Sequence, residues 1–128
     1  MSHETRLIDR PLRVEEAAVL RFLLTQDFPG HQQLLVQMST ARVTSECADG
    51  CGTIDLEVDR ACAAAKEAGL VPIEASRHDS RGPLDVLLHV GEDGYLGTLE
   101  VLNLDSSPVR DYPKPEELTV FVRPTERD

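Results

Sequence analysis

Tryptophan is absent from these 128 residues, and only three phenylalanines and two tyrosines occur. A core built from this chain must therefore be aliphatic, drawn from Leu, Val, Ile and Ala. Cysteine is also sparse and odd in number: Cys47, Cys51 and Cys62. Three thiols in a chain whose first residues, Met1-Ser-His-Glu-Thr-Arg6, lack an apolar signal run argue for reduced side chains, not a disulfide framework. No apolar stretch reaches the length needed to span a bilayer. A cytoplasmic protein with no membrane partner is the expectation. Basic residues are the third shortage. Thirteen Lys and Arg face twenty-three Asp and Glu, a formal net charge of −10. Nucleic acid is held by clustered cations. Here Arg6, Arg10 and Arg13 form the only local basic group, with Asp9, Glu15 and Glu16 beside them, so a nucleic-acid partner is not expected.

The charge is unevenly placed. Met1–Arg42 holds five acids and five bases, and the remainder holds eighteen acids against eight bases. The same point marks a change of pattern. Val14–Thr25 reads as a helix, with Glu15 and Glu16 at the end where the helix dipole favours negative charge. Ala17, Leu20 and Leu24 lie on one stripe, widened by Val14, Phe22 and Leu23. Asp27-Phe-Pro-Gly30 breaks it, because proline cannot continue a helix. His31–Ser39 reads as a second helix with Leu34, Leu35 and Met38 inward. Together they make a helical hairpin, within a helical part spanning roughly 12–40.

From Ala41 the period becomes two. Ala41–Glu46 reads as a strand, and Cys47-Ala-Asp-Gly-Cys-Gly52 as a turn. Thr53–Asp59 is the cleanest strand: Ile54, Leu56 and Val58 on one face, Asp55, Glu57 and Asp59 on the other. Arg60–Ala68 is alanine-rich and ends at Gly69, so it reads as a short helix or a crossing loop, the helix favoured. Val71–Ser76 resumes alternation. Its Pro72 requires an edge strand or a place at the strand's start. Arg77–Pro83 reads as a polar loop.

Leu84–Leu104 reads as a hairpin turning at Asp93-Gly94 in a two-residue type I′ turn. That register pairs Val90 with Gly97, Leu88 with Leu99, and Val86 with Val101 on an apolar face. It pairs His89 with Thr98, Leu87 with Glu100, and Asp85 with Leu102 on the other. Leu87, Leu96 and Leu102 then lie outward. They suit a homodimer contact or a second layer, and monomer and homodimer both stay open. Ser106–Pro115 reads as a proline-rich linker, Leu118–Val122 as a last strand, and Pro124–Asp128 as a frayed tail. The whole, residues 1–128, reads as one α+β domain: an N-terminal helical hairpin packed on a mostly antiparallel sheet of about five strands, the sheet part spanning roughly 41–123.

Four constellations are candidates for function. Cys47 and Cys51 could ligate zinc, but a tetrahedral site needs about four ligands, and no second pair follows. Asp55, Glu57 and Asp59 project from one strand face about 6.5–7 Å apart. Catalysis by such carboxylates needs a pocket that shifts their pKa values. His31, His78 and His89 accompany no nucleophile elbow, phosphate loop or zinc-protease motif. The acidic surface as a whole suits a basic protein partner, or simply solubility.

The segments Asp27-Phe-Pro-Gly30, Cys51-Gly-Thr-Ile-Asp-Leu-Glu-Val-Asp59 and Val86–Val101 together resemble a family of small uncharacterised bacterial proteins. The resemblance covers most of the chain. It implies a helical hairpin, a Cys-Gly turn into an acidic strand, and a late Asp-Gly hairpin. It brings no established activity, so no catalytic residue carries over. Family members have a cysteine-rich turn, of which Cys47-Ala-Asp-Gly-Cys51 is a sparser form.

The leading expectation is a non-enzymatic, immunity-like interaction module. It presents Asp55, Glu57, Asp59 and Glu100 to a basic protein and has no cofactor. The alternative is a metal- or small-ligand-binding domain centred on Cys47 and Cys51, with zinc as the candidate metal. A third, enzymatic reading uses the sheet carboxylates or histidines.

Overall fold

The computed structural model describes residues 5–48, 50–104 and 111–124. Asp49 of the cysteine turn, Ser106–Arg110 of the expected linker and 125–128 of the expected tail lie outside the described residues. The chain runs β1 (Thr5–Arg10), α1 (Val14–Leu24), α2 (His31–Met38), β2 (Arg42–Cys47), β3 (Ile54–Glu57), β4 (Ile73–Asp79), β5 (Gly82–Val90), β6 (Leu96–Asn103), a 3₁₀ turn at Pro115–Glu117, and β7 (Thr119–Val122). The strands form one sheet in the order β1-β2-β3-β6-β5-β4-β7. All neighbours are antiparallel. No helix among the described residues is long and apolar enough to cross a membrane.

The sheet has seven strands where about five were expected. The strand with no counterpart in the sequence reading is β1. Its residues Thr-Arg-Leu-Ile-Asp-Arg lack apolar alternation, and ion pairs help to hold it. Arg6 and Arg10 reach Glu46 on β2, and Arg42 on β2 reaches Asp9. Within the charge-balanced first forty-two residues Arg10 meets Glu16 and Arg42 meets Asp9, while Arg6 and Arg10 also draw on Glu46 beyond that stretch.

The two helices cover one face of the sheet. α1 buries Val19, Leu20, Leu23 and Leu24. The stripe is rotated from the expected one: Val14 is 86% exposed, and Val19 is fully buried. From α2, Leu34 and Met38 join them. The sheet contributes Val43, Ile54, Leu56, Ile73, Val86, Leu88, Leu99 and Val101. The core is aliphatic, with Phe28 as its one fully buried aromatic.

Two local expectations are corrected, and the place of Pro72 at the start of its strand is kept. Arg60–Ala68 is a series of turns, not a helix. Its backbone groups are taken by tertiary partners: Ala65 N–H donates to the Gly94 carbonyl at 2.8 Å, and the Ala63 carbonyl accepts from Gln37 at 2.9 Å. The Arg77–Pro83 loop is mostly strand, because β4 continues to Asp79 and pairs it with Gly82. Pro72 stands just before β4, the position that costs no ladder bond, and β4 lies inside the sheet between β5 and β7.

The β5–β6 hairpin keeps the expected pairs from Asp85↔Leu102 to His89↔Thr98. Its tip differs. Gly94 N–H donates to the Gly91 carbonyl, Gly91 N–H donates to Tyr95, and Gly94 has φ +87°. This is a three-residue loop with a left-handed glycine, one residue longer than the expected turn. The ladder slips between His89 and Val90, which pairs with Leu96. The two one-residue offsets cancel, so the remaining register is unchanged. Leu96, expected outward, is turned into the core at 2% exposure.

Candidate functional site

The helices leave the other face of the sheet open. Residues paired directly across neighbouring strands share a face, so the register lists what this open face carries. One row runs Leu7, Ser45, Asp55, Thr98, His89 across β1, β2, β3, β6 and β5. A second runs Phe121, Glu74, Leu87, Glu100 across β7, β4, β5 and β6. A third runs Thr119, Ser76, Asp85, Leu102. Glu74, Asp85 and Glu100 therefore border Leu87 and Leu102, which are diagonal neighbours and half-buried; Asp55 lies farther along the face, and Arg123 reaches Glu74. Phe121 extends the apolar strip at 58% exposure.

The expected partner-binding residues are not equivalent. Asp55 is half-buried and accepts hydrogen bonds from Thr98 Oγ1 at 2.7 Å and from Ser45 Oγ. It organises the face more than it offers a free charge. Glu100 Oε1 lies 2.7 Å from His89 Nε2 on the neighbouring strand. Glu57 is exposed at the end of β3, opposite Arg42. Asp59 lies beyond the strand, where its carboxylate accepts the Ala61 N–H at 2.9 Å. Glu57 and Asp59 border a separate open cleft with Asp9 and Arg42. The expected set thus divides in two: Asp55 and Glu100 belong to the open face, and Glu57 and Asp59 to an adjacent rim. The register brings in two acids the sequence reading missed, Glu74 and Asp85. The sequence reading puts Asp85 on the outer hairpin face, and the alternation of Val71–Ser76 turns Glu74 outward. Only the strand order puts them side by side.

Cys47 and Cys51 are joined by a disulfide across the β2–β3 turn. The expectation of reduced thiols fails at this pair, because the turn brings the two Cα atoms within 5.7 Å. In this form both sulfurs are bonded to each other. Among the described residues no group of three or more His, Cys, Asp or Glu is placed to hold a metal ion. Cys62 is a free cysteine, outside this turn. The disulfide borders a small, largely apolar crevice of about 100 Å³, flanked by Asp55, Glu100 and Leu102. The histidines do not converge: His31 Nδ1 contacts the Leu24 carbonyl on the helical side at 3.0 Å, His78 is exposed near the end of β4, and His89 is on the open face.

A second cleft, of about 310 Å³, lies on the helical side between β1, the start of α1 and the cysteine turn. Its wall is an ion-pair network invisible to local sequence reading. Arg10 makes a bidentate contact with Glu16 at 2.9 and 3.0 Å and a further one with Glu46 at 3.1 Å. Glu16 is buried and also accepts the Arg13 N–H at 2.9 Å, capping α1. Hydrogen bonding from Arg6, then from Arg10, holds the Glu46 carboxyl below its usual range. Tyr112 closes the cleft. Burial, reinforced by the nearby Glu16 and Glu15 charges, pushes its phenol up. Sequence could have flagged Glu16 only as an N-terminal helix acid. Its partners lie on other elements.

Residues 9–113 match the family model described as a domain of unknown function (DUF6984), and the chain belongs to that family. No functionally curated protein and no solved structure matches the chain.

Proposed function

We propose that this DUF6984 member is a non-enzymatic protein-interaction module, immunity-like in its use of an acidic surface, that receives a basic protein partner on its open sheet face. The observation that carries this reading is the placing of Glu74, Asp85 and Glu100 beside Leu87 and Leu102, with Asp55 on the same face, on the side the helices leave uncovered. An apolar strip bordered mainly by acids, with Arg123 paired to Glu74 at its edge, suits association in which burial supplies affinity and charge supplies rate and orientation. The net charge of −10 extends the same field over the whole molecule. Catalysis finds less support. The carboxylates stand on an open surface, and the histidines are dispersed. A second reading, binding of a small apolar group, is supported by the crevice beside the disulfide.

The test is affinity capture from the native host with the wild-type chain and a D85K/E100K variant. Any retained protein is then purified and measured in binary binding at ~50 and ~300 mM salt, which spans a substantial change in screening length. The reading expects a basic partner that binds the wild type, weakens steeply with salt and is lost by the variant. A partner indifferent to both salt and charge reversal, or no discriminating partner at all, would overturn it.

A further inference from the structure

The Cys47–Cys51 bond does little that the surrounding backbone does not already do. Cys47 ends β2, and its N–H donates to the Thr53 carbonyl at 3.1 Å. The strands on either side are held by their own ladders: β2 to β1 on one edge and to β3 on the other. The bond closes a loop with a sequence separation of only four. A ring that short removes less entropy from the unfolded chain than a longer loop would. Gly52, at φ +93°, lets the turn reverse within this short span. The two sulfurs also differ in setting. Cys47 is 8% exposed, whereas Cys51 is half-buried and stands in the turn. Cavities approach from both sides: the crevice on the open face touches both cysteines, and the cleft on the helical side touches Cys47.

We infer that Cys47 and Cys51 form a redox-active pair that exchanges with thiols in the folded protein, with Cys51 as the sulfur attacked first. This inference does not depend on the acidic-face reading. The substrate class is a dithiol, on a small molecule or a protein. One thiolate of the dithiol attacks Cys51 Sγ, a new sulfur–sulfur bond forms to Cys51, and Cys47 leaves as its thiolate. The second thiol of the dithiol then displaces Cys51. The dithiol ends as its own disulfide, and Cys47 and Cys51 end as thiols. Two electrons and two protons pass to the pair. Exchange starts at the sulfur an outside thiolate can reach, and Cys51 is the less buried of the two residues.

The experiment uses the full chain carrying Cys62→Ser, so that only the pair titrates. The protein is equilibrated in dithiothreitol redox buffers, quenched in acid, alkylated and weighed, with circular dichroism recorded on the same samples. The expected result is a reversible change between zero and two alkylated thiols with the native spectrum kept. Oxidised glutathione added to the reduced protein, followed by rapid quench and peptide mapping, is expected to give mixed disulfide at Cys51 at least about tenfold faster than at Cys47. Thiols that appear only in denaturant, loss of the native spectrum on reduction, or equal trapping at both sulfurs would each overturn the inference. The pair itself is left unmutated, and a native spectrum of the oxidised Cys62→Ser chain before reduction shows that the substitution leaves the fold intact.

Discussion

The side chain of Gln37 and the carbonyl of Gly94 are joined at 3.0 Å, although 57 positions separate them in sequence. Gln37 is fully buried. Its amide nitrogen donates to Gly94 and to the Ala63 carbonyl, and its oxygen accepts the Leu96 N–H at 3.0 Å. One side chain therefore ties α2, the turns after β3 and the tip of the β5–β6 hairpin. Each buried backbone group left without its partner costs about 1–3 kcal/mol. Gln37→Leu keeps the volume and removes all three bonds. Urea melts are expected to show a loss of at least about 2 kcal/mol. A loss near that of a surface change would mean that water replaces the amide.

Gly94 meets the same junction from the other side. A Cβ there would lie 2.9 Å from the Ala65 nitrogen, and its φ of +87° is one that side chains disfavour. Gly94→Ala is expected to cost about 1–3 kcal/mol. Gly69→Ala is the matched control, since a Cβ there meets nothing within 4 Å. It should stay within about 0.5 kcal/mol of the wild type in the same melts.

These contacts mark the boundary of what the sequence reveals. The β5–β6 register was legible because a one-residue slip would turn Val86, Leu88, Leu99 and Val101 off their shared apolar face. The turn type at Gly94 was not, because its extra residue is absorbed by a second irregularity three residues later. The Arg60–Ala68 turns carry good helix formers, yet their amides are drawn to Gly94 and Gln37 by tertiary contacts that outweigh propensity. β1 is read from its partners, not from itself: Arg6 and Arg10 make sense only once Glu46 is beside them. For the site, Asp55 and Glu100 were recognisable as outward carboxylates. That Glu74 and Asp85 join them follows only from the strand order.

Glu16 and Arg10 form the most buried ion pair described, at 2.9 Å, with the Glu16 side chain 4% exposed. Removing one member of a buried pair strands the other, at a cost of about 3–5 kcal/mol. Glu16→Leu is expected toward the lower end, about 3 kcal/mol, because Glu46 still faces Arg10. The double change Glu16→Leu with Arg10→Met should recover part of that loss, since the guanidinium that loses Glu16 is then only the exposed one of Arg13. A double variant as unstable as the sum of its two single variants would mean that the pair does not act as a unit.

Acid stability should report the ion-pair clusters. Hydrogen bonding from the Arg81 guanidinium holds Asp79 down at about 2, from an ordinary 3.8. The Lys114 N–H and then Arg81 lower Glu117, and Arg6 lowers Glu46. In each case the unfolded chain takes up its proton at a higher pH than the folded protein. The stabilisation is therefore complete above about pH 4.5 and is lost as the pH falls toward about 2, through the folded values. Thermal melts across that window should show a steady fall in Tm. Arg81→Gln removes the shared partner of Asp79, Asp111 and Glu117. It is expected to flatten the fall between about pH 4 and pH 2 while leaving the part due to Glu46. An unchanged slope in that variant would show that the Arg81 guanidinium does not hold Asp79 and Glu117 below their unfolded values.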